Sequence, residues 1–588
     1  MDILNKKTSL FKLSYGCRIL FIITLLLSIF EIFLRTYMPT FIQKIIDLLN
    51  SEDLSSNKSM IEIEVQKNIL ILISFGLLIG ISTITGSYLN VIARYRYAKN
   101  LRYALFTKVQ NFSFQDIDKY PTGVIVNYLN TDVDNIAKVF RIFSVPLIKM
   151  PIMFLSALIF ALNQSIELSI IFGVSLPILF IFFIIMWKYG MPIFYRTFKK
   201  SDEYNNKLQE NLHSIKVIKS YVTELKEQKK HDSINNEMGE ISIKGEKIFT
   251  WYHIVTMNTI FMSLITLVLI GVNQVLENKI TPGTIVSFST YIWMITGSFM
   301  AILNITSELF RSIPSMKRYK QIINYQSSIQ EIQNPIIKSL DGDIEFKNVS
   351  LKYENAQEET LKYIDLTIPK GSSLGIVGKT SSGKTSLLNL ITRFYEVSNG
   401  EVLIDNINVK EYSLTSLRSQ ISGVFQNSGL FTGSIRENML IGNPNASDEE
   451  IINVLKQASI WEFVNNQPEK LDYVITQSGN NLSGGQKQRF YIARALLKKA
   501  KILILDDATS AIDAKTEQEI KLNLNNIKEV TKIIVAQKIS SVLNCDQILV
   551  IDEGKISDIG THSELMLKNK YYREMYEIQN SLGSLNEV

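Results

Sequence analysis

Six long apolar stretches within the first 310 residues constrain this chain more than any other feature. A backbone that crosses hydrocarbon must satisfy its own hydrogen bonds, so each crossing takes about 20 mostly apolar residues wound into a helix. The stretches that meet this requirement run roughly Ile19–Ile42, Ile69–Ala93, Val139–Leu162, Ile166–Met186, Ile254–Leu276 and Thr284–Phe310. The rest of the 588 residues reads as a soluble α/β protein. The expected division is a lead-in helix over 1–18, a membrane domain over 19–310, a polar linker over 311–342 and a second domain over 343–588.

Loop chemistry orients the membrane half. The third and fourth stretches are joined by a tight turn, Asn163-Gln164-Ser165, and the fifth and sixth by Glu277 to Gly283 with Thr281-Pro282-Gly283. The two long connections are helical in pattern and basic, with Arg94, Arg96, Lys99, Arg102 and Lys108 in one and Lys188, Arg196, Lys199, Lys200, Lys216 and Lys219 in the other. Lys/Arg excess marks the cytoplasmic side, so both termini and both long connections are expected there. The first outer loop, with Glu52, Asp53, Glu62 and Glu64, is consistent with that assignment. Two short reversals, near Asn130–Asp134 and Glu210–Ile215, are candidate contact points for a soluble domain.

The apolar run from Ile19 is too long for a signal peptide and no small-residue cleavage site follows it, so it reads as a retained first span. Its amphipathic lead-in, Ser9 to Arg18, is expected to lie along the inner membrane surface. The net charge of +6 is not gathered on one basic face, which argues against nucleic acid. Cys17 and Cys545, one in each half, form neither a CxxC pair nor a disulfide framework. Ionisable residues inside spans are functional candidates. Glu31 and Arg35 are spaced to pair locally on one helix face, with a substrate contact as the alternative, and Lys149 reads as snorkelling to the headgroups. Met257, Met262, Met294 and Met300 on the last two spans suit either helix packing or an adaptable pocket.

In the second half, Gly378-Lys379-Thr380-Ser381-Ser382-Gly383-Lys384-Thr385 fits GxxxxGK[ST], between an apolar strand and a helix pattern that opens at Ser386. Glycines let backbone N–H groups wrap a phosphate, Lys384 reaches the β- and γ-phosphates, and Thr385 ligates Mg²⁺. Lys501–Asp506 is an apolar strand ending in a carboxylate suited to hold the same ion. Asn481-Leu482-Ser483-Gly484-Gly485-Gln486 lies between them and opens a helix.

LSGGQ placed between those two motifs resembles the signature of the ABC transporter family. Other family elements match by position. Tyr353 resembles the aromatic that stacks on adenine, Gln426 the glutamine that senses Mg²⁺ and the membrane domain, and Ser510-Ala511-Ile512-Asp513 the loop that follows the Mg²⁺ carboxylate. The membrane half is similar to the bacterial type IV exporters. The resemblance implies a polytopic six-helix α membrane domain followed by an α/β P-loop ATPase domain, embedded in the cytoplasmic membrane. It implies a second half-transporter subunit as partner, ATP and Mg²⁺ as ligands, and an amphipathic or hydrophobic cargo. Each ATP would lie between one chain's Gly378–Ser386 loop and its partner's counterpart of Ser483, Gly484, Gly485 and Gln486. The two reversals would be coupling helices.

Two residues depart from the family pattern. Asp507 stands where the family has a glutamate general base, and Gln537 where it has a switch histidine. Asp507 keeps the carboxylate with one methylene fewer, and Gln537 can donate a hydrogen bond but carries no charge. Both lie on this chain's own phosphate-binding side, while LSGGQ is intact. The pattern resembles the degenerate-site subunit of heterodimeric multidrug exporters. A homodimeric lipid or peptide exporter and a channel-like or regulatory subunit remain as alternatives.

Overall fold

The computed structural model describes residues 10, 12–50, 58–120, 122–354, 356–426 and 428–584. Glu52 and Asp53, Asn427 beside Gln426, and the start of the lead-in through Ser9 lie outside the described residues. The chain forms two units, residues 1–111 with 120–326, and residues 112–119 with 327–588.

The first unit is helical and, among the described residues, contains six helices long and apolar enough to cross a membrane. Among the described residues the first, Arg18–Leu49, is preceded by a short 3-10 turn, Lys12–Ser14. Leu13, Ser14 and Cys17 are buried, and the second-span side chain of Asn100 donates to the carbonyls of Leu13 and Tyr15 at 2.9 and 3.2 Å. The described part of the lead-in, Lys12 to Cys17, thus packs in part against the second span.

Polar side chains join the spans at the end where the tight turns lie. Ser165 caps the fourth span by accepting from Leu168 N. Asp47 of the first span accepts from Gly283 N at 2.9 Å and Thr281 Oγ1 at 2.7 Å, capping the helix that opens at Pro282. A Cβ on Gly283 would sit 2.4 Å from the Gln43 carbonyl, so only glycine lets the two helices close here. Gln164 donates to Gln43 and accepts from Ser287, tying the first, third and sixth spans together.

One expectation within the spans changes. Lys149 does not snorkel: its ammonium pairs with Glu31 at 2.7 Å, and Arg35 takes the other oxygen of the same carboxylate at 2.7 Å. Lys149 lies in the first turn of the helix Pro146–Gln164, and its side chain is 15% exposed. Of the four methionines, Met257 and Met294 pack against the apolar core, while Met262 lines a cleft of about 430 Å³ with Trp251, Asn258 and Thr266.

The first expected reversal is also absent. Tyr128–Asp132 is a π-helical turn that runs directly into the helix Val133–Ser144. Asp132, fully buried, holds the Arg318 guanidinium of the sixth helix through two bonds of 2.6 and 2.8 Å and accepts from Ser315. The segment that belongs to the second unit is instead the short helix Phe114–Lys119. Its buried Asp116 accepts from Ser113 N, Ser328 N and Ser327 Oγ, and the Phe114 ring packs 4.4 Å from Phe394. The second expected reversal does contain a break, between His213 and the short helix Ile215–Ser220. The sixth helix continues through to Ile323, so residues from 311 to 323 are helical.

The second unit holds two main sheets. β1 (Ile344–Leu351), β2 (Leu361–Ile368), β4 (Asn399–Ile404) and β5 (Ile407–Asn408) form an antiparallel sheet in the order β2-β1-β4-β5. The larger sheet uses β3 (Ser373–Gly378), β6 (Ile421–Val424), β9 (Ile502–Asp506), β10 (Thr531–Val535), β11 (Gln547–Asp552) and β12 (Lys555–Gly560). Its order is β12-β11-β3-β10-β9-β6, parallel except for β12, and the two-residue strands β7 (Gly433–Ser434) and β8 (Val474–Ile475) pair separately. The continuous apolar runs of β3 and β9 follow from burial on both faces, as parallel sheets require.

Asp132→Ala would leave Arg318 without its buried carboxylate and is expected to destabilise the helical unit by about 3 kcal/mol. A lowered melting temperature of the purified chain checks this; an unchanged one would mean that the pair contributes nothing.

Candidate nucleotide site

In a parallel sheet the carboxyl ends of neighbouring strands share one edge, and ligands bind there. Here that edge collects the ends of β3, β10, β9 and β6, in spatial order. Val535 lies opposite both Ile376 and Asp506, and Val424 opposite Leu505. The loop after Gly378, the carboxylates Asp506 and Asp507, Gln537 and Gln426 therefore emerge side by side although they are far apart in sequence.

The loop Gly378–Gly383 leads into α1 (Lys384–Ile391). A Cβ on Gly378 would lie 2.1 Å from the Ile551 carbonyl, and Gly383 has φ +103 with Leu361 and Thr360 pressed against it. Ser381 takes φ +66, a left-handed conformation that disfavours side chains. No side chain caps α1, so its first N–H groups are open to an anion. Ser382 Oγ is buried without a hydrogen-bond partner, a second sign of a cradle shaped for polar oxygens. Lys384 Nζ bonds the carbonyls of Gly378 and Lys379 at 2.9 and 2.7 Å, and burial pushes its ammonium below the ordinary value against the pull of Asp507 and Asp506.

Thr385 Oγ1 donates to Asp506 Oδ2 at 2.9 Å. Burial lifts the Asp506 carboxyl, the Thr385 bond opposes it and Asp507 adds to the lift. A divalent cation beside this hydroxyl and carboxylate would favour the ionised form that burial disfavours, so the pair fits a hard-cation site completed by phosphate and water oxygens. Gln426 is exposed two residues beyond β6 and makes no hydrogen bond among the described residues. Tyr353 OH donates to Ser386 Oγ at 2.9 Å, and its ring meets Tyr395 edge-on, which sets it beside the start of α1. Lys379 pairs with Asp552 at 3.4 Å, and no hydrogen bond involving the Thr380 side chain occurs among the described residues.

Ser483 caps α2 (Gly484–Leu497) in a reciprocal box with Gln486, at 3.2 and 2.8 Å. A Cβ on Gly485 would come within 2.8 Å of the Ala511 carbonyl. Gln488 clasps the neighbouring loop through Ser510 Oγ and Ala511 N. No hydrogen bond or ion pair links Ser483–Gln486 to Gly378–Ser386 among the described residues, so the two motifs stand as separate half-sites.

Asp507 adopts φ +50, and both its oxygens are engaged by one residue: Gln537 N at 3.2 Å and Gln537 Nε2 at 3.1 Å. Sequence reading missed what holds Gln537. Gln579, on α4 (Lys570–Ser584), donates to the Gln537 carbonyl at 3.0 Å and accepts from Ile539 N at 2.8 Å. The same helix sets the Tyr571 ring 5.2 Å from the Lys379 ammonium. Glu517, on α3 (Ala514–Asn525), was also missed. It is buried and binds Thr509 Oγ1, Ser541 Oγ and Lys521, joining the loop after Asp507 to the segment after Gln537. Neither residue lies in a motif, and only folding brings them to the site.

Family models described as "ABC transporter" and "ABC transporter transmembrane region" match residues 361–510 and 21–299. The chain is 32% identical to the ABC transporter ATP-binding protein YknU of Bacillus subtilis, over 85% of this chain and 86% of the relative. The chain belongs to the ABC transporter family. Among this transporter's other relatives are a putative multidrug export ATP-binding/permease protein, YgaD, of Bacillus subtilis (32% identity, 82% of this chain, 83% of the relative) and an ATP-dependent lipid A-core flippase of Syntrophus aciditrophicus (30%, 82% and 80%). The fold matches a bacterial Atm1-family ABC exporter solved with ATP bound, with TM-score 0.82 at 22% identity, covering 96% of this chain and 98% of that one. This ABC transporter is thus a multi-pass membrane ATPase of exporter architecture that couples nucleotide hydrolysis to transport and works as a dimer.

Gln579→Leu removes two hydrogen bonds worth about 1 kcal/mol each. Amide exchange over residues 537–539 is expected to rise by roughly tenfold or more; unchanged exchange would show that the segment is held by other contacts.

Proposed function

We propose that this ABC transporter is one subunit of a heterodimeric exporter of amphipathic compounds, and that its own phosphate-binding side is the slow one. The observation that carries this reading is the Asp507–Gln537 pair. A general base must reach the attacking water, and Asp507 is one methylene shorter than glutamate with both oxygens occupied by Gln537. Gln537 can donate to a γ-phosphate but cannot become a cation. By contrast the signature half-site is complete, with Ser483 and Gln486 bonded to each other and the glycines at the helix start. It would serve an intact site on a partner chain.

In this reading Gly378–Ser386 cradle the phosphates, Lys384 faces the β- and γ-phosphates and Tyr353 stacks on the base. Thr385, Asp506 and Gln426 hold Mg²⁺, which when bound neutralises charge on the phosphates. Export of an amphipathic cargo is supported by the apolar spans and by relatives named for multidrug export and lipid A-core flipping. The Lys/Arg-rich connections support a cytoplasmic ATPase unit and cytoplasmic termini.

Two measurements test the proposal. Steady-state ATPase activity of the chain alone in lipid nanodiscs is expected to be no higher than that of Lys384→Ala; robust Lys384-dependent turnover would establish a homodimer instead. Asp507→Glu combined with Gln537→His is expected to raise hydrolysis at this site by at least about tenfold, given that a positioned base contributes roughly 10²–10⁴-fold. Unchanged turnover would remove the explanation offered for both residues.

A further inference from the structure

Glu31 is 3% exposed on the first span, and its two oxygens are held by different cations, Arg35 Nε and Lys149 Nζ. Two cations on one carboxylate leave a net positive charge among helices long and apolar enough to cross a membrane. Arg35 lies 17 residues beyond Arg18 in one continuous helix, about 26 Å along its axis at about 1.5 Å per residue. Gln43, at the end where the tight turns lie, follows 8 residues further on, about 12 Å, so Arg35 sits within the span and short of that polar end.

The excess charge is not shared evenly. The Lys149 side chain is 15% exposed, whereas that of Arg35 is 44% exposed. Arg35 spends only Nε on Glu31, and among the described residues Nη1 and Nη2 have no partner. Those two nitrogens form the flat fork that grips a carboxylate or phosphate with two parallel bonds. A charge at this depth is sustained where it faces a water-filled path or an anion, not hydrocarbon chains.

We propose that Arg35 is a headgroup contact of the transport pathway and takes the phosphate or carboxylate of an anionic amphiphile. The proposal rests on the exporter reading and narrows its cargo. Glu31 is the built-in counter-ion: it orients the guanidinium through Nε, keeps the fork outward and competes electrostatically with an incoming anion. Lys149 is a positioning residue that holds Glu31 from the other side.

The test is binding to the full chain in neutral phosphatidylcholine nanodiscs, followed by ligand-induced thermal shift. Dodecyl phosphate, dodecyltrimethylammonium and dodecyl maltoside share a tail and differ in head charge. Wild type is expected to favour dodecyl phosphate. Arg35→Gln should weaken that ligand at least tenfold and leave the other two unchanged, and Arg35→Lys, which keeps the charge but loses the fork, should fall between. Glu31→Gln should tighten dodecyl phosphate several-fold, an effect of opposite sign that mere damage to the fold would not produce. Equal binding of the three ligands, indifference to Arg35→Gln, or weaker dodecyl phosphate binding in Glu31→Gln would overturn the proposal. Displacement of dodecyl phosphate by equimolar inorganic phosphate would also overturn it, by assigning the site to a free anion. Failure of the exporter reading itself is separable: in that case none of the three amphiphiles would alter Lys384-dependent ATP hydrolysis in the chain, alone or with its partner.

Discussion

Inside hydrocarbon, no water is available to an unpaired backbone group, and the whole first unit is organised by that constraint. It forces the spans to be helices and leaves helix ends and polar side chains as the places where spans can be fastened. Asp47 shows how. One carboxylate caps the sixth helix through Gly283 N, takes the Thr281 hydroxyl, and thereby fixes the first span against the sixth. Asp132 does the same job on the helical extensions, where a buried acid grips Arg318. In both places a satisfied polar group does what general apolar packing cannot, which is to select one register between two long helices.

The second unit answers a different demand. Five parallel strands deliver their carboxyl ends to one edge, so that residues more than 150 positions apart emerge side by side. The signature helix is built elsewhere and clasped by Gln488 to the Ser510–Ala511 loop. Among the described residues no bond joins Ser483–Gln486 to Gly378–Ser386 within one chain, which agrees with the dimeric habit of the family.

Much of this was legible in the sequence because its signals are local. Span length, the Thr281-Pro282-Gly283 turn, the glycine spacing of 378–383 and the apolar strand before Asp506 are each contained in a single window. What escaped were pairings between distant residues. Lys149 taken alone looks like a snorkelling cation; only the approach of a helix 118 residues away supplies Glu31. The polar run near Asp132 suggested a turn, yet a buried partner on the sixth helix lets the chain stay helical. Phe114–Lys119 is too short and mixed to announce itself. Gln579 has no motif at all, and its role exists only because α4 returns to the switch segment.

The placement of Phe114–Lys119 carries one more implication. A piece of the connection between the second and third spans is an integral part of the ATPase unit, and from Phe114 a row of rings runs through Phe394 to Phe425, the residue next to Gln426. Close-packed aromatic rings resist compression, so a displacement at one end of the row must move the other or open a void. The link between them is one of packing rather than charge. Contacts of this kind are not screened by ions, so the packing of Phe114 on Phe394 and of Phe394 on Phe425 should hold equally well in dilute and in concentrated salt.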